Sequence, residues 1–125
     1  MAWTIVVVEP VRSWLHGLRN SDRRTLQLVS QAIDALAEEG PALGRPLVDT
    51  VRVSSLSNLK ELRPGSAGAS EVRVLFLFDP ERRAVLLVGG DKSGDWHGWY
   101  RTAIPQAEVA YAEHLRAVDD KDGER

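Results

Sequence analysis

The stretch Glu71–Asp79, EVRVLFLFD, limits the possible folds of this chain more than any other. Val72, Val74, Phe76 and Phe78 recur at period two on one face of a strand. The other face starts polar, with Glu71 and Arg73, and turns apolar at Leu75 and Leu77. A strand apolar on both faces over its second half lies inside a sheet. Its polar start must then sit at a rim or in a cleft, because a buried unpaired charge is costly. Upstream, Asn58–Arg63 reads as an antiparallel partner, joined through a loop of small residues, Pro64–Ser70, whose glycines and proline supply turn angles. Four cations, Lys60, Arg63, Arg73 and, one strand later, Lys92, project from this hairpin region, and a function has to explain them.

The rest of the chain reads in order. Trp3–Val8 is a short apolar run rich in β-branched residues, a buried strand ended by Glu9 and Pro10. Pro10 suits the first turn of a helix whose apolar face is Val11, Trp14, Leu15 and Leu18. Asn20, Ser21 and Asp22 supply N-cap chemistry for a second helix with the stripe Leu26, Val29, Ile33, Leu36 and Ala37, stopped by Gly40 and Pro41. The short polar joint between the two predicts an antiparallel helical hairpin. Residues 41–57 show no sustained period and read as a connecting loop, with room for a turn of helix or a short extended piece. After the Asp79–Arg83 turn comes a strand over Ala84–Gly90, where Gly89 and Gly90 mark its end or a kink. Pro105 is expected to open a last helix with the stripe Ile104, Ala107, Tyr111, Leu115 and Val118, and residues 119–125, DDKDGER, to fray.

With 125 residues, 43% of them hydrophobic, the chain can build one core but not two, so a single domain over 1–118 is expected. It has no cysteine, which excludes disulfides and thiolate metal sites. No apolar run approaches the roughly 20 residues of a membrane span. The start, MAWTIVVVEPVR, has neither the basic region nor the cleavage site of a signal peptide, so a soluble, cytoplasmic protein is expected. The net charge of −2 argues against nucleic acid, yet residues 41–101 hold nine Lys or Arg against seven acids, while the end is acidic. Such a middle tolerates an RNA site; as a count it also fits ordinary surface charge.

The order strand, helix, helix, three strands, helix, together with LKELR, a glycine-containing loop, EVRVLFLF and a strand leading into a lysine, resembles the RelE/HigB superfamily of toxins from bacterial toxin–antitoxin pairs. Within it the chain is most similar to the phage-derived Gp49-like, HigB-type branch, over roughly Trp3–Leu115. The resemblance implies a small α+β domain with a mostly antiparallel central sheet, an N-terminal helical hairpin and a C-terminal helix. It also implies a toxin that enters the ribosome and cleaves mRNA. Its partner would be a helix-turn-helix (XRE-type) antitoxin that blocks the activity and brings it to operator DNA, with no membrane involved.

Cleaving RNA without a metal drives a 2′-hydroxyl at the adjacent phosphate, which needs a base, cations on the phosphate oxygens and an acid for the departing 5′ oxygen. Arg73 is the first candidate for the phosphate, since relatives place a functional arginine there; the bland alternative is a salt bridge to Glu61 or Glu71. Arg63 is either a phosphate ligand or a structural partner of an acid. Lys92 matches the cation that closes the cleft in relatives, and Lys60 matches a more variable position. The segment Asp95–Arg101, DWHGWYR, is aromatic and cationic. His97 and Tyr100 are candidates for proton transfer. Trp96, Trp99 and Arg101 are candidates for gripping unpaired bases, although the tryptophans equally suit anchoring the last helix. This segment departs from the lysine-rich continuation of many relatives. His16 and His114 read as surface residues, no spacing suggests a metal site and no cofactor is called for. The competing reading is a non-catalytic module that binds the antitoxin as a co-repressor.

Overall fold

The computed structural model describes residues 2–65 and 68–123, with side chains through 119. Five strands form one sheet: β1 (Thr4–Val7), β2 (Val48–Thr50), β3 (Lys60–Leu62), β4 (Val72–Phe78) and β5 (Arg83–Asp91), in the order β1-β5-β4-β3-β2. All neighbours are antiparallel except β1 with β5, so the sheet is mixed and mostly antiparallel. Helices α1 (Val11–Ser21) and α2 (Arg23–Glu39) precede β2, and α3 (Trp96–Gly123) ends the described chain.

The alternation of β4 decides the layering. Val72, Val74 and Phe76, with Leu62, Ala84 and Leu86, pack under α1 and α2 through Val11, Val29, Ala32 and Leu36. Leu75 and Leu77, with Leu59, Val85 and Leu87, pack under α3 through Ala103, Ala107 and Ala110. Two helices thus cover one face and one helix the other. Each fully buried Val, Leu or Phe contributes roughly 1.5–3 kcal/mol.

Asp22 alone joins α1 to α2 and caps the latter, accepting from the Thr25 amide at 3.1 Å and the Thr25 hydroxyl at 2.6 Å. The connecting loop contains both a 3₁₀ turn, Gly40–Ala42, and the edge strand β2. The hairpin loop between β3 and β4 includes Ser66 and Ala67, which lie outside the described residues.

Two expectations need correction. Pro105 does not open the last helix: α3 begins nine residues earlier and Pro105 lies inside it. The start is fixed instead by Asp95, whose Oδ1 accepts from the Gly98 amide at 3.0 Å. The stripe shifts accordingly, with Ala103, Ala107 and Ala110 buried and Leu115 44% exposed. Of the two roles read for Gly89 and Gly90, an end or a kink, the end is not taken: the fourth predicted strand runs on to Asp91. They are the places where indoles from opposite layers seat on one strand. A Cβ on Gly89 would collide with the Trp14 ring, and one on Gly90 would lie 2.6 Å from Trp99 Nε1. The expected frayed tail falls partly outside the described residues; α3 reaches Gly123.

β5 also carries an extra residue. Leu75 pairs with Val88 and Phe76 with Leu86, so Leu87 is left over as a bulge, and both Leu87 and Val88 face α3. This reverses the alternation downstream. Gly90 and Lys92 therefore face α3 instead of α1, on the same side as Arg73 and Glu61.

Candidate active site

Neighbouring strands bring two arginines to one carboxylate, with a lysine beside them. Glu61, on β3 between Leu59 and Arg63, is 3% exposed. Its Oε1 accepts from Arg63 Nε at 2.8 Å and lies 2.6 Å from Arg63 Nη2. Its Oε2 accepts from the Tyr100 hydroxyl at 2.6 Å. Arg73, one strand on, places its Nε 4.0 Å from Glu61 Oε1; that nitrogen is buried and has no hydrogen-bond partner, while Nη1 donates to the Val72 carbonyl at 2.8 Å. Arg63 also reaches Asp49 on β2 at 3.2 Å.

Lys92 closes the group. Its amide donates to the Glu71 carbonyl at 3.0 Å, which extends the strand pairing, and Asp91 braces the turn by accepting from the Glu71 and Ser93 amides. The side chain is no surface lysine: the residue is 4% exposed, with Nζ 3.3 Å from the centroid of the Trp96 ring and 5.6 Å from that of Tyr100. Burial, aided by the Arg73 charge, lowers its pKa. Burial and the bond to Glu61 push the Tyr100 phenol up to about 12. At neutral pH Tyr100 therefore holds its proton and serves as a hydrogen-bond donor.

The other candidates are divided between this cluster and its surroundings. Trp99 packs over Gly90 in the α3 core and anchors the helix, while Trp96 is 53% exposed, one face taken by Lys92. His97 and Arg101 are exposed on α3 and line a cleft that also touches Glu61 and Tyr100. Lys60 stands apart. It alternates with Glu61, so it shares a face with Leu62, and its Nζ meets Thr50 Oγ1 at 3.5 Å. His16 is exposed, but His114 is half-buried, its Nε2 enclosed and its ring stacked on Tyr111. Among the described residues no group of His, Asp or Glu is arranged to hold a metal ion.

Sequence reasoning treated Glu61 only as a neutralising partner for Arg73. The signal available was an acid at a period-two position between two residues of a buried strand, where a carboxylate persists only if several donors meet it. Set against Arg63, Arg73 and Lys92 are the carboxylates of Glu61, Asp49 and, near Lys92, Glu71; of these six side chains Glu61 is the one that lines the open cleft.

Comparison with known proteins agrees with this fold. Residues 14–112 match the family described as phage derived protein Gp49-like (DUF891). A Mycobacterium tuberculosis protein named as toxin HigB2 is 54% identical over 120 residues, 96% of this chain and 58% of that protein. A second from the same organism, named as toxin HigB3, is 48% identical over 104 residues, 83% of this chain and 86% of its own length. The chain thus spans little more than half of the first relative. A mutant of the Escherichia coli toxin RelE in the free state superimposes with a TM-score of 0.55 at 13% identity, over 85% of this chain and 98% of that one, which establishes the fold. The chain belongs to the phage-derived Gp49-like family, alongside relatives named as HigB toxins, and has the fold of RelE.

Proposed function

We propose that this protein is the toxin of a type II toxin–antitoxin pair and a ribosome-dependent, metal-independent mRNA endoribonuclease, held inactive by a helix-turn-helix antitoxin. The observation that carries the reading is the meeting of Arg63 and Arg73 at Glu61, with Lys92 on the same side of the sheet beside Trp96 and Tyr100. The toxin names of two relatives support it. In this scheme Arg73, with its unpartnered Nε, and Arg63 hold the scissile phosphate and stabilise the charge that builds on it. Lys92, its proton loosened by burial, protonates the departing 5′ oxygen. His97, exposed beside the cleft, takes the proton of the attacking 2′-hydroxyl. The new bond joins the 2′ oxygen to phosphorus, the bond to the 5′ oxygen breaks, and a 2′,3′-cyclic phosphate and a 5′-hydroxyl remain. Glu61 and Tyr100 orient the cations. Trp96 offers its outer face to a base, and Arg101 meets the flanking backbone.

A co-repressor without nuclease activity is the competing reading; the prior engagement of Tyr100 and Glu61 with each other favours it. Induced expression of the wild type beside Arg73→Ala, with growth followed and mRNA 5′ ends mapped, separates the two. The nuclease reading expects growth arrest and new 5′ ends with the wild type and neither with Arg73→Ala. It fails if the wild type leaves growth and transcripts unchanged.

A further inference from the structure

Beside the cation cluster, the segment Thr50–Ser55 and one face of α3 border an open cleft of about 840 Å³. On α3 this face presents His97, Arg101, Ile104 and Glu108, spaced as a single helical stripe. The stripe is graded. Nitrogen donors, His97 and Arg101, stand at the end where Glu61 and Tyr100 line the same cleft. Ile104 and Val51 make an apolar middle. Glu108 lies at the far end, about 12 Å along the helix from Tyr100 at ~1.5 Å per residue. Phosphate ligand, apolar platform and acceptor follow one another as phosphate, base plane and base edge do in a nucleotide.

The two oxygens of Glu108 are unequal. Oε2 accepts from Ser54 Oγ at 2.9 Å, the Ser55 amide at 2.8 Å and Ser55 Oγ at 2.9 Å. Oε1 has no hydrogen-bond partner among the described residues. One side of the carboxylate is thus fixed by the loop, and the other is a free acceptor at a set position. Guanine is the base that matches such an acceptor, because its pairing edge carries two adjacent donors, N1–H and the 2-amino group. In adenine, cytosine and uracil the donor on that edge is flanked by an acceptor, which a carboxylate repels.

We propose that this cleft is a guanine subsite, in which Glu108 Oε1 accepts from the N1–H and 2-amino edge of a base lying on Ile104, with its phosphate toward His97 and Arg101. It rests on the nuclease reading in taking RNA as the ligand, and it assigns a base preference at one position beside the cut.

The test uses the full chain, titrated with 3′-GMP, 3′-AMP, 3′-UMP and inorganic phosphate while backbone amide shifts are followed by NMR. 3′-GMP is expected to shift Val51 and Ile104 and to bind roughly tenfold more tightly than 3′-UMP. Glu108→Gln keeps a carbonyl oxygen for Ser54 and Ser55 but turns the free acceptor into a donor, so it abolishes the preference. The double variant Ser54→Ala, Ser55→Ala removes two of the three donors that fix Glu108 Oε2, so it weakens the preference. The proposal is overturned if the nucleotides bind alike, if Glu108→Gln still prefers 3′-GMP, or if the serine variant strengthens the preference. Inorganic phosphate reports on the cluster separately. If it shifts Arg73 and Lys92 while the bases are not distinguished, the guanine subsite falls and the nuclease reading stands. A guanine preference in a protein that cuts no transcript overturns only the nuclease reading.

Discussion

Replacing Glu61 by Gln tests whether the cluster is organised as a waiting anion site. Glu61 is almost wholly buried and takes two contacts from Arg63 and one from Tyr100, with Arg73 at 4.0 Å. Removing one partner of a buried ion pair costs about 3–5 kcal/mol. The Arg63 side chain, however, is 33% exposed and keeps Asp49 at 3.2 Å, so solvent screens part of that loss and about 2 kcal/mol remains. For a domain of this size that is a fall in Tm of roughly 6 °C. What remains in the variant is Arg63, Arg73 and Lys92 facing one another with no carboxylate between them. Phosphate should then take the carboxylate's place and, at about ten times its Kd, return ~1.4 kcal/mol. The assay is urea denaturation of the wild type and Glu61→Gln, in phosphate and in chloride of equal ionic strength; urea is used because guanidinium would screen the charges. The expected result is a variant less stable in chloride and selectively rescued by phosphate, with a smaller phosphate effect on the wild type. A loss below about 0.5 kcal/mol, or equal behaviour in the two salts, would refute the idea that Glu61 holds the place of an anion.

The chain has two tyrosines, and the phenol of Tyr100 is pushed up to about 12, so ultraviolet titration should show one late ionisation that Tyr100→Phe removes and Glu61→Gln moves to lower pH. Because the folded value lies above the ordinary tyrosine value of 10.0, this group's stabilising contribution is complete below pH 10 and is lost as pH rises through about 12; Tyr100→Phe should flatten that part of the stability curve. Gly90→Ala would place a Cβ 2.6 Å from Trp99 Nε1. The overpacking should cost about 1–3 kcal/mol in denaturation experiments, and Trp99→Leu beside it should recover part of the loss.

Most of the fold was legible because its signals are local. Period two in Val72–Phe78 marked the central strand and both of its faces, the stripes of α1 and α2 marked one covering layer, and Asn20, Ser21 and Asp22 marked the cap between them, which is Asp22. The α3 start was misread because a proline tolerated inside a helix looks, in sequence, like one that opens it; Asp95, the residue that does cap the helix, stands in a run with several turn formers. Glu61 was underrated because a glutamate in a short strand carries no mark of whether three donors will meet it.

The sequence by itself determined the strand alternation, the placing of Arg73 on the same side of β4 as Leu75 and Leu77, and the membership of the chain in its family. Only the tertiary structure decided that Lys92 joins Arg73 and that Lys60 does not. The reason is parity: a single extra residue at Leu87 reverses which face every later residue of β5 presents, and a bulge exists only in the pairing of two strands.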